Sequence, residues 1–355
     1  MAEVIIVGSG LAAACLMHRF SACNVNFEVI SEPSLSNSSR VAAGVWNPVV
    51  FKRFTKSWMA DTVIAEAISF YKSIEQAAGE QWLFERQIIR PLYEEHEQKL
   101  WLAKAKNELD DFLEEEIKTL NGTLLGLKMA GAYGIVNKAG NLDIPAFLDF
   151  TLQNFKHQIH RQKFEHTRLQ LEEKGISYEG KKAKAIVFCE GWLVKDNPLF
   201  NWIPLKPAKG EVLTLKANNI DLKKHISNRS TFLFQQQNGT LRCGATYAWD
   251  VLNEEPTEAC KDQLLRGFAE HSNEHAHVLE HLAGVRPATV DRRPVLGRHP
   301  QHHNVYMFNG LGSKGVMLAP YFSKKFVNFY LQQETLPAEV DLRRFIANYE
   351  QSKTS

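Results

Sequence analysis

Val4-Ile5-Ile6-Val7-Gly8-Ser9-Gly10-Leu11-Ala12-Ala13-Ala14-Cys15-Leu16-Met17, followed by Phe27-Glu28-Val29-Ile30 and Glu32, is the stretch that decides the fold. The β-branched run Val4–Val7 has the pattern of a strand buried on both faces in a parallel sheet. Gly8-Ser9-Gly10 is a tight turn, Leu11–Met17 has helical composition, and Phe27–Ile30 is a second apolar strand. The frame is G-x-G-x-x-A, with an acidic residue 24 positions after Gly8. Each part has a physical task. Gly8 permits the turn, and Gly10 lets a pyrophosphate approach the backbone. Ala13 lets the helix pack closely on the strand. The helix N-terminus offers N–H groups and a positive dipole end to phosphates. Glu32 accepts hydrogen bonds from ribose hydroxyls. The candidate nucleotide contacts are therefore Gly8, Ser9, Gly10, Leu11, Ala12, Ala13 and Glu32, on a dinucleotide-binding unit of the α/β class.

Composition narrows the rest. A chain of 355 residues forms one large domain or two medium ones and needs no disulfide or metal to fold. Its 44% hydrophobic and 23% charged residues exclude long disorder. With 42 basic against 40 acidic residues, the net charge of +2 excludes a uniformly basic nucleic-acid coat protein but not a local basic patch. Five cysteines, an odd number without a C-x-x-C pair, argue against a disulfide framework or a thiolate zinc site. They fit a reducing compartment, and a cytoplasmic location is expected. Leu11–Cys15 faintly resembles a lipoprotein cleavage site, but no basic residue precedes the apolar run. No apolar stretch approaches the ~20 residues of a membrane-spanning helix.

Working outward, Ser36-Asn37-Ser38-Ser39-Arg40-Val41-Ala42-Ala43-Gly44-Val45-Trp46-Asn47-Pro48 is either a plain surface loop or a loop passing close to a flat ligand. Arg40, Ala42, Ala43 and Gly44 are its candidate contacts. Residues 57–78 have helical spacing, 82–84 and 87–93 read as strands, and 94–118 as one or two amphipathic helices. A turn at 140–145 starts a helix reaching about His160. Ala185–Cys189 is another buried strand, ending at Glu190-Gly191. Lys209-Gly210-Glu211 opens an alternating strand, and Phe232 to Thr246 reads as a hairpin turning at Asn238-Gly239. Near the end, Gly284-Val285-Arg286-Pro287 precedes a second strand–turn–helix. It runs Val305-Tyr306-Met307-Phe308, Asn309-Gly310-Leu311-Gly312-Ser313-Lys314-Gly315-Val316, then a helix to about Gln332. A second helix N-terminus so placed can stabilise negative charge on a bound cofactor ring.

In this order, the segments Gly8–Ala13 with Glu32, Ala42–Gly44 with Pro48, Lys209–Glu211, Asn238 to Thr246, and Gly284 to Gly315 resemble the D-amino-acid-oxidase-like FAD enzymes. That family includes glycine oxidase and sarcosine oxidase, and the resemblance covers nearly the whole chain. Met307 to Pro320 is also locally similar to the oxidase half of bifunctional enzymes that process 5-carboxymethylaminomethyl-uridine in tRNA. The resemblance implies FAD, and oxidation of a carbon–nitrogen bond by hydride transfer to give an imine that water hydrolyses. The substrate is an amino acid or N-substituted glycine, or the equivalent group on a tRNA wobble uridine. An alternative of another class is a non-catalytic FAD-binding partner protein. The implied architecture is a discontinuous FAD-binding Rossmann-like domain (1–75, 140–205, 284–355) with a mostly antiparallel substrate domain (76–139, 206–283).

The resemblance also assigns roles. Arg286 matches the family position that grips a substrate carboxylate, which a guanidinium fork suits; the alternative is a structural arginine paired with Asp291. Tyr247 either closes the substrate site or is an ordinary strand aromatic. Lys314 either places positive charge near the flavin or is a solvated surface lysine. Further implied cofactor contacts are Gly191, Gly284, Arg286, Gly310, Gly312, Ser313, Lys314, Gly315 and Val316. Two departures stand out. Glu190 replaces a small residue, and Ser313 stands where glycine oxidase has an arginine, which weakens free glycine as the substrate. Val41 beside Ala42, and no cysteine after Cys260, point to noncovalent FAD.

Other clusters carry less. His271, His275, His277 and His281 include an i, i+4 pair but no metal-binding frame, so they read as a solvated helix face; His299, His302 and His303 are read likewise. No metal is expected. The basic runs Lys52-Arg53-Phe54-Thr55-Lys56 and Lys181-Lys182 with Lys184 either touch tRNA phosphates or are solvated surface.

Overall fold

The structure, a computed structural model, describes residues 2–32 and 38–353. The chain divides into two compact units. Met1–Arg40, Ile144–Ala208 and Val285–Ser355 form the first; Val41–Asp143 and Lys209–Gly284 form the second.

The first unit grows from β1 (Ala2–Val7), α1 (Leu11–Ala22) and β2 (Phe27–Ser31). β1 and β2 are parallel, with Val7 opposite Ile30. The other edge of β1 pairs in parallel with Lys181–Phe188, which pairs in parallel with Val305–Asn309. Ile159–Arg161 lies parallel to β2. Val4, Ile5, Ile6, Ile186, Val187 and Phe188 are fully buried, as continuous apolar runs in a covered parallel sheet should be. Antiparallel strands at Leu169–Glu172, Gly175–Tyr178 and Val295–Arg298 extend it. α1 buries Ala13, Ala14, Leu16, Met17 and Phe20. The Arg19 guanidinium donates to the Pro320 carbonyl at 3.2 Å, tying α1 to the Gly315–Tyr330 helix. The loops at the carboxyl ends of the parallel strands thus meet the start of two helices, where nucleotides bind in sheets of this kind.

The second unit is a sheet ordered His277–Arg286, Ala208–Lys216, Leu241–Gly244, Phe232–Gln235, His225–Asn228, Leu83–Pro91, Leu127–Leu142 and Val45–Trp46. From Ala208–Lys216 to Val45–Trp46 its pairings are antiparallel except that of His225–Asn228 with Leu83–Pro91. The hairpin turns at Asn238-Gly239, with Gly239 at φ 85°. The Glu258–His271 helix buries Leu264 and Phe268 against Leu213, Leu233 and Cys243.

Several elements differ from expectation. Residues 41–75 pack in the second unit. Val45 pairs with Asn141, and Glu75 of the Ala60–Ala78 helix accepts from the N–H groups of Trp82 and Leu83, both at 2.6 Å. The helical reading of 94–118 holds only for Glu95–Ala105. Beyond it the Asn107 amide and the Asp110 carboxylate bond nearby backbone, competing with helix, and Lys118–Leu124 is a strand paired to Leu127–Leu142.

The histidines are not one solvated helix face. His277 and His281 lie on a strand, where i, i+4 spacing does not make neighbours along one helix face. His271 is buried at a helix end, with Ser227 Oγ 2.8 Å from Nδ1 and Thr231 O 3.1 Å from Nε2. His299 is also buried, stacked on His302 and edge-on to Phe200 and Tyr349. No helix among the described residues is long and apolar enough to cross a membrane.

Candidate active site

The first unit's crevice begins where β1 ends. Gly8 sits at φ +107°, and a Cβ there would lie 2.5 Å from the Cys189 carbonyl oxygen. The fold itself therefore demands glycine at position 8. Gly10 is different. Its φ of −75° suits any residue, and a Cβ would meet only the Ser39 side chain, with Oγ at 3.1 Å. The space in front of Gly10 is open, a cradle that a side chain would fill.

α1 starts at that cradle without a side-chain cap from Gly10. Ser39 Oγ accepts from the Leu11 N–H at 3.1 Å. The N–H groups of Ala12 and Ala13, in the first helical turn, have no intrahelical acceptor. Such a terminus binds anions. Ser9 Oγ and Ser31 Oγ share a 2.7 Å hydrogen bond, fixing the glycine turn to the end of β2 beside Glu32. The open cradle, the Ala12 and Ala13 N–H groups at the helix start and the adjacent carboxylate fit the pyrophosphate and ribose of FAD. Arg40 pairs with Asp149 at 2.5 Å in the same unit.

Two neighbouring strand ends complete the crevice. The Asn309 amide donates to the Gly191 carbonyl at 2.9 Å, and its oxygen accepts from the Gly310 N–H at 2.8 Å. The Gly312 N–H bonds the Pro287 carbonyl at 3.2 Å, tying the turn after Arg286 to the Gly310–Gly315 turn. A Cβ on Gly315 would lie 3.4 Å from Leu11 Cδ2, so the two helix N-termini are neighbours. Val316 is buried in the first turn of the second helix, and Ser313 is exposed. Lys314 is only partly exposed. Burial, and then the charges of Arg293 and Arg292, hold its ammonium below the usual lysine range. Glu190, the acidic departure, accepts from the Asn197 amide at 2.7 Å and lies 2.8 Å from His166 Nε2. The buried Cys189 thiol is pushed well up by burial, so it is an inert thiol.

Other candidates sit elsewhere. Ser36 and Asn37 lie outside the described residues. Ala42, Ala43 and Gly44 belong to the second unit. There a Cβ on Gly44 would lie 1.9 Å from the Leu142 carbonyl oxygen, and Leu142 N–H bonds Gly44 O at 3.0 Å. That backbone approach by itself accounts for glycine at position 44. Tyr247 is an exposed aromatic of the second unit, and Gly284 is buried near the end of the His277–Arg286 strand. Arg286 closes that strand. Asp291, its suggested partner, is gripped by Arg344 Nε at 2.8 Å and by Thr289 Oγ1 at 2.8 Å.

The basic run at 181–184 is matched by carboxylates: Lys181 with Glu28 (3.3 Å), Lys182 with Glu172 (3.6 Å) and Lys184 with Glu3 (2.7 Å). Among the described residues, no group of three or more His, Cys, Asp or Glu is placed to hold a metal ion. Sequence reasoning missed Ser39, His166, Asn197 and Asn309. Only Asn309, directly before the Gly310 turn, carried a local signal, since Asn commonly bonds the backbone of turns.

Comparison with known proteins agrees with this geometry. The chain is 29% identical to glycine oxidase of Bacillus licheniformis over 116 residues, 32% of this chain and 31% of the relative. It is 23% identical to the tRNA 5-methylaminomethyl-2-thiouridine biosynthesis bifunctional protein of Idiomarina loihiensis over 371 residues, 97% of this chain and 58% of that protein. These alignments span less than two thirds of either relative. The solved glycine oxidase of Geobacillus kaustophilus superposes with a TM-score of 0.76 at 19% identity, covering 97% of both chains. The family model for FAD dependent oxidoreductases, the DAO family, matches residues 3–328, and the chain belongs to that family.

Proposed function

We propose that this protein oxidises the carbon–nitrogen bond of an amino acid or N-substituted glycine, using noncovalent FAD in the cytoplasm. One observation carries the reading. The segment after Arg286 is hydrogen-bonded to the Gly310–Gly315 turn through Gly312 N–H and Pro287 O, which supports Arg286, next in sequence to that contact, as the carboxylate grip. FAD, when bound, supplies the hydride acceptor. Arg286 then orients the substrate through its carboxylate, so that the carbon next to the amine gives up the hydride. The neutral amine nitrogen would donate its lone pair into the forming C=N bond and release a proton, giving the imine, which water hydrolyses. Two helix N-termini and Lys314 favour negative charge in the crevice. Glu32 holds the ribose. The five unbridged cysteines suit a reducing compartment. The carboxylates matched to Lys181, Lys182 and Lys184 leave little free positive charge there for a nucleic-acid backbone. The small-amine reading therefore leads over the tRNA one.

The test is anaerobic bleaching of the flavin band by glycine, sarcosine, a D-amino-acid mixture and tRNA carrying 5-carboxymethylaminomethyl-uridine. Bleaching by a small amine is expected, lost in Arg286→Ala while FAD is retained. Bleaching by the tRNA alone, or an Arg286→Ala protein that bleaches like the parent, would overturn the reading.

A further inference from the structure

Arg286 ends its strand, and the turn that follows in the first unit carries two more arginines, Arg292 and Arg293, directly after Asp291. Read from the sequence, that carboxylate would neutralise one of them. In the structure it does not. The Arg344 guanidinium grips Asp291 through Nε at 2.8 Å and Nη2 at 3.3 Å. Asp291 Oδ1 also accepts from the Arg293 N–H at 3.1 Å and lies 2.8 Å from Thr289 Oγ1. Asp291 is thus committed to Arg344 and to the shape of the turn, not to either neighbouring arginine side chain. Arg292 is exposed and sits at φ +59°, a conformation that residues other than glycine rarely adopt. It makes no ion pair among the described residues.

The turn is pinned, and it leans on the crevice. Thr289 is buried, with Oγ1 2.6 Å from the Arg293 carbonyl oxygen. The Val290 N–H bonds Pro204 O at 3.1 Å, and the Lys206 N–H bonds Ala288 O at 2.7 Å. A Cβ on Gly310 would lie 3.0 Å from Thr289 Cγ2, and one on Gly312 3.7 Å from Ala288 Cβ, whereas Gly315 faces Leu11. The Gly310–Gly315 turn therefore stands between the start of α1 and the arginine turn. The pyrophosphate cradle at Gly10 is on the α1 side, so its anion is not the one that Arg292 and Arg293 serve. Lys314, on the intervening turn, is within reach of both arginine charges. Positive charge gathered from two adjoining turns attracts an anion, and guanidinium forks suit a carboxylate.

Resting on the proposed amine oxidation, we propose that Arg292 and Arg293, beside Lys314, form a second anion subsite that binds the far carboxylate of a dicarboxylic substrate, an N-carboxyalkyl glycine. Arg286 grips the glycine carboxylate, and the turn directly after it receives the other. The two ends of one small molecule are then read by one continuous stretch of chain in the first unit. A nucleic-acid backbone needs a basic track rather than a point. The 181–184 run of this unit offers none, because Lys181, Lys182 and Lys184 are matched by carboxylates.

The test uses the FAD-loaded enzyme with thiodiacetate and its monoamide, which are alike in shape, carry two negative charges and one, and contain no amine to oxidise. Calorimetry reads their binding; anaerobic flavin bleaching by iminodiacetate and by sarcosine reads turnover. Thiodiacetate is expected to bind about tenfold tighter than its monoamide, through one more charge-assisted contact. In Arg292→Gln/Arg293→Gln that preference should fall to about the twofold that two equivalent ends give by chance. Arg292→Gln alone, at an exposed position, should lower it partway. Equal binding of the two ligands, no binding of either, or a preference that survives the double variant overturns the inference. A double variant that loses FAD or tRNA binding instead of the preference overturns it too. An arginine-dependent preference without bleaching by either amine leaves the subsite standing and overturns the amine-oxidation reading. Bleaching by sarcosine with equal binding of the two thioethers does the reverse.

Discussion

Gly10→Ala and Gly8→Ala should damage different things, although both glycines belong to one short turn. At Gly8 the backbone lies at φ +107°, and an added Cβ would sit 2.5 Å from the Cys189 carbonyl oxygen. Strain in so sparse a region costs about 1–3 kcal/mol, and the forced displacement of a core strand a similar amount. The fold should lose about 2–5 kcal/mol with no cofactor present. At Gly10 the backbone is ordinary and the nearest atom is the Ser39 hydroxyl at 3.1 Å, which needs to give by only a few tenths of an ångström while keeping its bond to the Leu11 N–H. Alanine there also narrows the unfolded ensemble, a gain of about 0.4–1 kcal/mol. The apoprotein's stability should therefore change by less than about 0.5 kcal/mol. The methyl group does, however, fill the cradle in front of the Ala12 and Ala13 N–H groups. A loss of roughly 100-fold in FAD affinity is expected, about 2.8 kcal/mol. The assay pairs urea midpoints of apoproteins with FAD titrations followed by quenching of flavin fluorescence. A Gly10→Ala apoprotein as unstable as Gly8→Ala would refute the reasoning, and so would one that binds FAD like the parent.

Acid should destabilise the protein through buried neutral histidines. Burial pulls the pKa of His271 down to about 3 and that of His18 to about 4, from 6.5. The unfolded chain takes up protons below 6.5 and the folded one does not, so stability is full above pH 6.5 and falls as pH drops towards those values. At pH 5 each histidine costs about 2 kcal/mol. Urea midpoints between pH 7.5 and 5 should drop accordingly, and His271→Gln should be less stable at pH 7.5 but flatter with pH; an unchanged slope refutes this. Lys314→Met should weaken FAD binding about tenfold, because it removes a positive charge from the crevice. A variant that binds FAD like the parent would count against that role.

The parts legible in the sequence are those whose signal is local. The β1–turn–α1–β2 unit combines β-branched runs, two glycines and a small helical residue. The Asn238-Gly239 hairpin and the late Gly310–Gly315 turn are equally compact signals. The Leu127–Leu142 strand is not, because Ala130-Gly131-Ala132, Gly134 and Ala139-Gly140 carry little β propensity. The structure supplies the reason: a Cβ on Gly134 would lie 2.3 Å from the Trp101 ring, and one on Gly140 2.4 Å from the Trp46 ring. Long-range packing, not propensity, selects those residues. The same holds at the site. His166 meets Glu190 across 24 positions, Lys209 reaches Asn253 across 44, and the His281–Glu211 contact joins two strands. No spacing rule encodes such meetings.

Glu190 tests whether the crevice is electrostatically coherent. A carboxylate beside the glycine turn should oppose a bound diphosphate. Its oxygens are instead engaged by the Asn197 amide and faced by His166, which draw its charge away from Gly191. On the other side, α1 and the Gly315–Tyr330 helix each contribute about half a positive charge at their starts. Lys314 adds a further charge, part-buried and beside two arginines. Positive charge so concentrated favours a negative ligand. That ligand also stabilises the fold, by mass action in proportion to its affinity. Cofactor binding and folding of the first unit are on this account one linked equilibrium, and the acidic departure at position 190 is accommodated without reversing its sign.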